Sequence, residues 1–131
     1  MKKLLLLLIF FTASCKNSSS YENASNALDA GREFIDATLK GDFAKAFFYM
    51  LQDAENKNLL DKIETNYREK NRDGREQYRQ ASINIIKVTD ITDKETLINY
   101  SNTYDKIGKK LKIIFIDNKW VVDLKYTFNP N

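Results

Sequence analysis

The chain has 131 residues, 21 of them basic and 18 acidic, with no histidine, one cysteine and four glycines. The missing histidine removes imidazole as general base, proton shuttle or metal ligand. A lone cysteine admits neither an internal disulfide nor a Cys/His metal site, and four scattered glycines form no phosphate loop.

Lys2 and Lys3 precede an unbroken apolar run from Leu4 to Phe11, and Thr12-Ala13-Ser14 supplies the small residues of a cleavage site. The run is well short of the roughly 20 residues that cross a bilayer, so it reads as an export signal over residues 1–14 and not as a permanent anchor. Cys15 follows at once. The stretch resembles a bacterial lipobox, with Thr12 where such motifs usually carry Leu. That resemblance implies a diacylglyceryl group on Cys15, cleavage just before it, and attachment to the membrane through the lipid. Two other readings stay open: ordinary cleavage that leaves Cys15 a free thiol, and a short Leu-rich buried strand. The polar Lys16-Asn17-Ser18-Ser19-Ser20 that follows fits a flexible tether over residues 15–24 better than a turn into a core. Lys16, where inner-membrane retention in enteric bacteria is associated with Asp, suggests by analogy the outer membrane, facing the periplasm.

Losing residues 1–14 takes Lys2 and Lys3 and no acid, leaving 19 basic against 18 acidic residues. Near-neutral charge and export both argue against nucleic acid as a partner. Residues 25–131 suffice for one domain that must cohere by packing alone.

In that domain Ser25 or Asn26 can cap a first helix carrying Ala27, Ala30, Phe34 and Ala37 at helical spacing, which stops at Gly41. Asp42 caps a second, aromatic helix expected over about Phe43 to Asp53. A third starts near Asn58, with Leu59, Leu60, Ile63 and Tyr67 on one face. Arg68 to Gln80 is almost wholly polar and interrupted by Gly74, and reads as a helical extension or a loop.

From Ala81 the apolar period becomes two. Ile83 and Ile85 alternate, then Ile86 and Val88 change phase, which implies a bulge or a strand apolar on both faces. A turn at Thr92-Asp93-Lys94 leads to a second strand with Ile98, Tyr100 and Tyr104 on one side. After a turn at Gly108, a third strand carries Leu111, Ile113 and Phe115. A fourth carries Trp120, Val122, Leu124, Tyr126 and Phe128. With Asn118-Lys119 as a two-residue hairpin turn, Phe115 faces Val122, Ile113 faces Leu124 and Leu111 faces Tyr126; Ile116 faces Val121 and Lys112 faces Lys125. Helices followed by an antiparallel meander give an α+β domain with N-terminal helices packed on a curved four-stranded antiparallel sheet.

Two stretches carry a family resemblance. Leu39-Lys40-Gly41-Asp42-Phe43-Ala44-Lys45-Ala46 resembles the helix junction of small bacterial lipoprotein domains of unknown function, and Ile116-Asp117-Asn118-Lys119-Trp120-Val121-Val122-Asp123 resembles their closing hairpin. The resemblance spans about Ala24 to Phe128 and implies the cone-shaped nuclear-transport-factor-2-like (cystatin-like, SnoaL-like) fold. That superfamily includes isomerases, dehydratases and non-enzymatic binding modules, so it does not fix a function.

Enzymatic members of that fold use an acid inside the cone, which makes Asp36, Asp53 and Asp123 candidates for a base; no second polar group at a defined spacing supports any of them, and a solvated or structural role is preferred. Arg68, Arg72, Arg75 and Arg79 would form a basic stripe on a continuous helix. Glu69, Asp73 and Glu76 run beside them, as on a salt-bridged solvated face. Tyr49, Tyr67 and Tyr100 are the candidates to present a hydroxyl to a pocket, because buried tyrosines seek a polar partner. The leading expectation is a non-catalytic binding module for a small apolar ligand or an envelope protein, with no cofactor and no metal. The rival expectations are a buried-carboxylate enzyme and a homodimer pairing through Ile114, Ile116 and Val121 on the outer sheet face.

Overall fold

A computed structural model describes residues 20–128. The export signal and Cys15 lie outside these residues. The elements run α1 (Ala27–Lys40), α2 (Phe43–Phe48), α3 (Ala54–Glu69), α4 (Arg72–Arg79), β1 (Ile83–Thr92), β2 (Glu95–Asn102), β3 (Lys109–Ile116), β4 (Lys119–Asp123) and α5 (Lys125–Phe128). The strands form one antiparallel meander in the order β1-β2-β3-β4. The domain is therefore α+β, helices first and a four-stranded antiparallel sheet after.

Asn26 starts α1 by accepting the Asp29 N–H at 2.9 Å, and Asp29 reciprocates with the Ser25 N–H at 3.0 Å. Both N-terminal donors are thereby satisfied. One face of α1, with Ala30, Phe34, Ile35 and Ala37, is buried against Ile98 of β2, Leu111 and Ile113 of β3 and Val122 of β4. Gly31 lets the helix lie close to the sheet, since a Cβ there would stand 2.6 Å from Ile98 Cδ1. Gly41 ends α1 in the left-handed region at φ 75°.

α2 is shorter than the sequence suggests, ending at Phe48 instead of near Asp53. The backbone beyond it turns to the sheet. The Val122 N–H donates to the Tyr49 carbonyl and the Leu51 N–H to the Val122 carbonyl, both at 2.8 Å. Residues 49–51 thus cover the outer edge of β4, which would otherwise offer unpaired backbone groups. Asp53 then caps α3 by accepting the Asn56 N–H at 2.8 Å, so α3 begins at Ala54, earlier than expected.

Beyond Glu69 the chain is neither a continuous helix nor a loop. Lys70 is extended at ψ 142°, and Asn71 caps a separate helix, α4, by accepting the Gly74 N–H at 2.7 Å.

In β1 the register shifts between Ile85 and Lys87, which makes Ile86 a bulge, one of the two readings that its change of phase allows. β2 ends at Asn102, before Tyr104. The Asn102 side-chain oxygen accepts the backbone N–H groups of Tyr104 and Asp105 at 2.9 and 3.1 Å and folds the chain into a turn.

The last hairpin keeps its expected faces but not its pairs. Phe115 faces Trp120, Ile113 faces Val122, Ile114 faces Val121 and Lys112 faces Asp123. A shift of two residues preserves which side chains share a face, so apolar alternation is indifferent to it. Turn chemistry decides. Asp117 and Asn118 hold positive φ of 49° and 62°, which a primed turn needs at both centres and which Lys119 would tolerate poorly. The shift also places Lys112 opposite Asp123 and not opposite Lys125. β4 stops at Asp123, and Tyr126 and Phe128 belong to the single helical turn α5. The expected pairs of Ile113 with Leu124 and Leu111 with Tyr126 therefore do not form. Val121, expected on the outer face, is only 6% exposed, in a hollow shared with Met50, Leu51 and Ile116.

Candidate functional site

Between α1 and the inner face of the sheet lies a cavity of about 220 Å³. Phe34 and Ile63 wall it from the helices, Leu111 from β3, and Leu124 and Phe128 from the C-terminal turn. Three polar side chains at its surface are already engaged. The Thr38 hydroxyl donates to the Ile35 carbonyl and the Thr127 hydroxyl to the Lys110 carbonyl, both at 2.8 Å. Lys109 donates to Asp105 at 2.5 Å.

Tyr100 and Tyr78 are different. Each lines the cavity, and neither hydroxyl has a hydrogen-bond partner in the protein among the described residues. Among those residues no fully enclosed side-chain polar atom lacks a partner. The unpartnered Tyr100 hydroxyl, on a residue only 8% exposed, therefore borders open space. Burial pushes the Tyr100 phenol well above its ordinary value of 10.0, and nearby Tyr78 and Asp105 add to the shift. Burial, then Asp105 and Tyr104, raise Tyr78 as well. Both are neutral at physiological pH and available as donors. The site offers an apolar body with two hydroxyls, suited to an apolar molecule bearing a hydrogen-bond acceptor.

The three tyrosines singled out in the sequence do not meet. Tyr100 lines the cavity. The Tyr49 hydroxyl donates to the Glu22 carbonyl at 2.7 Å and fastens the entering chain to α2. The Tyr67 hydroxyl accepts from Arg79 Nε at 2.8 Å at the α3–α4 corner. Tyr78 takes their place, from the polar stretch that offered no apolar periodicity to place it. Its signal was being the one aromatic residue between Arg68 and Gln80. Tyr21 and Glu22, which the sequence reading puts in the tether, also dock on the domain: the Tyr21 ring meets Phe48 at 5.5 Å.

None of the three candidate carboxylates lines the cavity. Asp36 pairs with Lys40 on the surface at 2.9 Å. Asp53 caps α3 and receives Lys125 Nζ at 2.6 Å. Asp123 accepts the Asn56 amide and the Lys125 N–H, both at 3.2 Å. The carboxylate that raises both phenols is Asp105. Burial pushes its carboxyl up, but Lys109 and the Ile107 N–H outweigh that and hold it below its ordinary value. Such a carboxylate is a counterion and a weak base.

The stripe of arginines is split by the break at Lys70. Arg68 pairs with Glu64, while Arg75 turns back to the carbonyls of Arg68 and Lys70. Among the described residues no cluster of three acidic or cysteine side chains could hold a metal, and no helix is long and apolar enough to cross a membrane. In comparisons with known proteins the chain matches no family model and no curated protein.

Proposed function

We propose that the chain is a bacterial envelope lipoprotein, anchored through lipid on Cys15, whose nuclear-transport-factor-2-like domain binds a small apolar ligand without catalysis. The observation that carries the binding reading is the apolar cavity lined by Tyr100 and Tyr78, whose hydroxyls have no partner in the protein among the described residues. An apolar space of roughly 150 Å³ holds benzene, so one of about 220 Å³ suits a single-ring or short-chain molecule. A carbonyl or ether oxygen on it would accept from the two phenols. Helices followed by an antiparallel meander, with the cavity between them, are consistent with the cone-shaped fold. The anchor reading rests on Lys2-Lys3, the apolar run and Cys15, and the outer-membrane, periplasm-facing placement on Lys16 by analogy.

Native mass spectrometry of the full chain drawn gently from the envelope tests the binding reading. A bound species a few hundred daltons or smaller, lost on a Leu111→Trp change that fills the cavity, supports it. A uniformly empty chain from every growth condition contradicts it. Labelled palmitate tests the anchor: incorporation abolished by Cys15→Ala supports it, and no incorporation in the parent refutes it.

A further inference from the structure

A second hollow lies apart from the ligand cavity, at the corner where α1, α3 and α4 meet. It measures about 460 Å³ and is lined by Lys40, Arg68, Arg75, Arg79 and Tyr67, with no carboxylate in its lining. Two of its guanidinium groups are held in place. Arg75 Nη1 donates to the carbonyls of Arg68 and Lys70 at 3.2 and 2.8 Å, and Arg79 Nε donates to the Tyr67 hydroxyl at 2.8 Å. Anchored forks of this kind lose little freedom on binding an anion and match the oxygens of a phosphate.

The charges do not cancel. Asp36, Glu64 and Glu76 pair with Lys40, Arg68 and Arg79 from outside the hollow, while Arg75 pairs with no carboxylate among the described residues. The carbonyl ends of α1 and α3 favour cations here, and Arg75 satisfies two of those carbonyls. That structural role does not extend to the Arg68 and Lys40 side chains, which are 72% and 59% exposed.

The entering chain reaches one residue that adjoins this hollow. The Tyr21 hydroxyl donates to Asp42 at 3.4 Å, and Asp42 sits between Gly41 and Phe43, both part of the lining. Six residue steps separate Tyr21 from Cys15, a reach of at most roughly 20 Å. A lipid on Cys15 therefore keeps Tyr21 within that distance of the bilayer and leaves this corner within reach of the surface. Gly41, Phe43 and Arg68 also border an adjoining groove whose lining adds Phe47 and Leu60 together with the carboxylates of Asp42, Asp61 and Glu64, so the cationic surface ends at that edge. It is the hollow itself, with four cations and no carboxylate in its lining, that suits a phosphate of the headgroup layer.

We infer that the Lys40–Arg68–Arg75–Arg79 hollow docks the phosphate of an anionic phospholipid headgroup in the membrane that carries the anchor. The inference rests on the proposed lipidation of Cys15. The full acylated chain in neutral maltoside detergent is titrated by calorimetry with dihexanoylphosphatidylglycerol, dihexanoylphosphatidylcholine and inorganic phosphate. The expected result is saturable binding of the glycerol lipid, roughly tenfold tighter than the choline lipid or phosphate. The double variants Arg75→Gln/Arg79→Gln and Lys40→Gln/Arg68→Gln should each weaken it about tenfold; the second changes only exposed side chains and keeps the fold. Equal binding of the two lipids, or undiminished binding by Lys40→Gln/Arg68→Gln, overturns the inference. Phosphate binding as tight as the glycerol lipid also overturns it, by assigning the hollow to a free anion. The mass of the purified chain separates the two claims. An unacylated chain that still prefers the glycerol lipid refutes the anchor and retains the headgroup site. An acylated chain indifferent to it refutes the site alone.

Discussion

The side-chain oxygen of Asn56 accepts the backbone N–H of Leu124 at 2.7 Å, across 68 residues of sequence. The bond joins the first turn of α3 to the end of the sheet. It also continues past Val122 the cover that residues 49–51 give the outer edge of β4. Asn56 is fully buried, and its amide donates to Asp53 at 3.1 Å and to Asp123 at 3.2 Å. Asn56→Ala leaves a buried N–H without a partner and should cost about 1–3 kcal/mol. Denaturant unfolding measures this, and Leu124 and the α5 turn should lose amide-exchange protection first.

The same cluster sets a pH dependence. The Asn56 N–H, then Lys125, hold the Asp53 carboxyl below its ordinary value of 3.8. The stability this contributes is fully present above that value and is lost as pH falls through the lower folded-state one. The hydrogen bond to Asp53 raises Lys125 above 10.5, so its contribution is present below 10.5 and lost as pH rises through the folded-state value. Asp53 is 38% exposed in its side chain, so water and salt limit the pair to roughly 1 kcal/mol or less. Asp53→Asn retains the cap and removes the charge. It should flatten the acid limb of stability against pH while leaving the neutral region within about 1 kcal/mol of the parent.

Gly41 carries two demands at one position. Its φ of 75° disfavours any side chain, and a Cβ would stand 2.6 Å from the Tyr67 ring and hydroxyl. Gly41→Ala should cost at least about 1 kcal/mol from the backbone alone. It should also displace Tyr67 and loosen its bond to Arg79, visible as a changed chemical shift of the Arg79 Nε–H.

Much of the fold was legible because its signals are local. The cap at Asn26, the stop at Gly41, the bulge at Ile86 and the alternation of Leu111 and Ile113 depend on neighbours within a few residues. What was misread depended on distant partners. α2 ends early because Tyr49 and Leu51 bond to Val122, and the chain leaves β4 where Leu124 bonds to the distant Asn56. The hairpin shift was within reach of the sequence: Asp117-Asn118 is a better primed turn than Asn118-Lys119, and it avoids facing Lys112 with Lys125. The site was less legible. Three tyrosines looked equivalent, and only tertiary placement separates Tyr100, with no partner, from Tyr49 and Tyr67, whose hydroxyls are bonded. Tyr78 lay in a helix with no apolar stripe.

The Tyr100 hydroxyl bonds to nothing in the protein among the described residues, so its loss should matter to binding and not to folding. Tyr100→Phe should leave stability within about 0.5 kcal/mol of the parent. It should also weaken binding of an acceptor-bearing ligand by roughly 0.5–1.5 kcal/mol, the net value of one hydrogen bond. Unfolding and binding curves on the same preparation compare the two effects.

The most direct measurement is an NMR titration of the full chain with acetophenone, a single ring bearing one carbonyl oxygen. Saturable shifts at Leu111, Leu124 and Ile63, with perturbed Tyr100 and Tyr78 ring signals and no such response in Leu111→Trp, are the expected result. Unperturbed cavity residues up to the solubility limit, or shifts that persist unchanged in Leu111→Trp, would contradict a ligand site between α1 and the sheet.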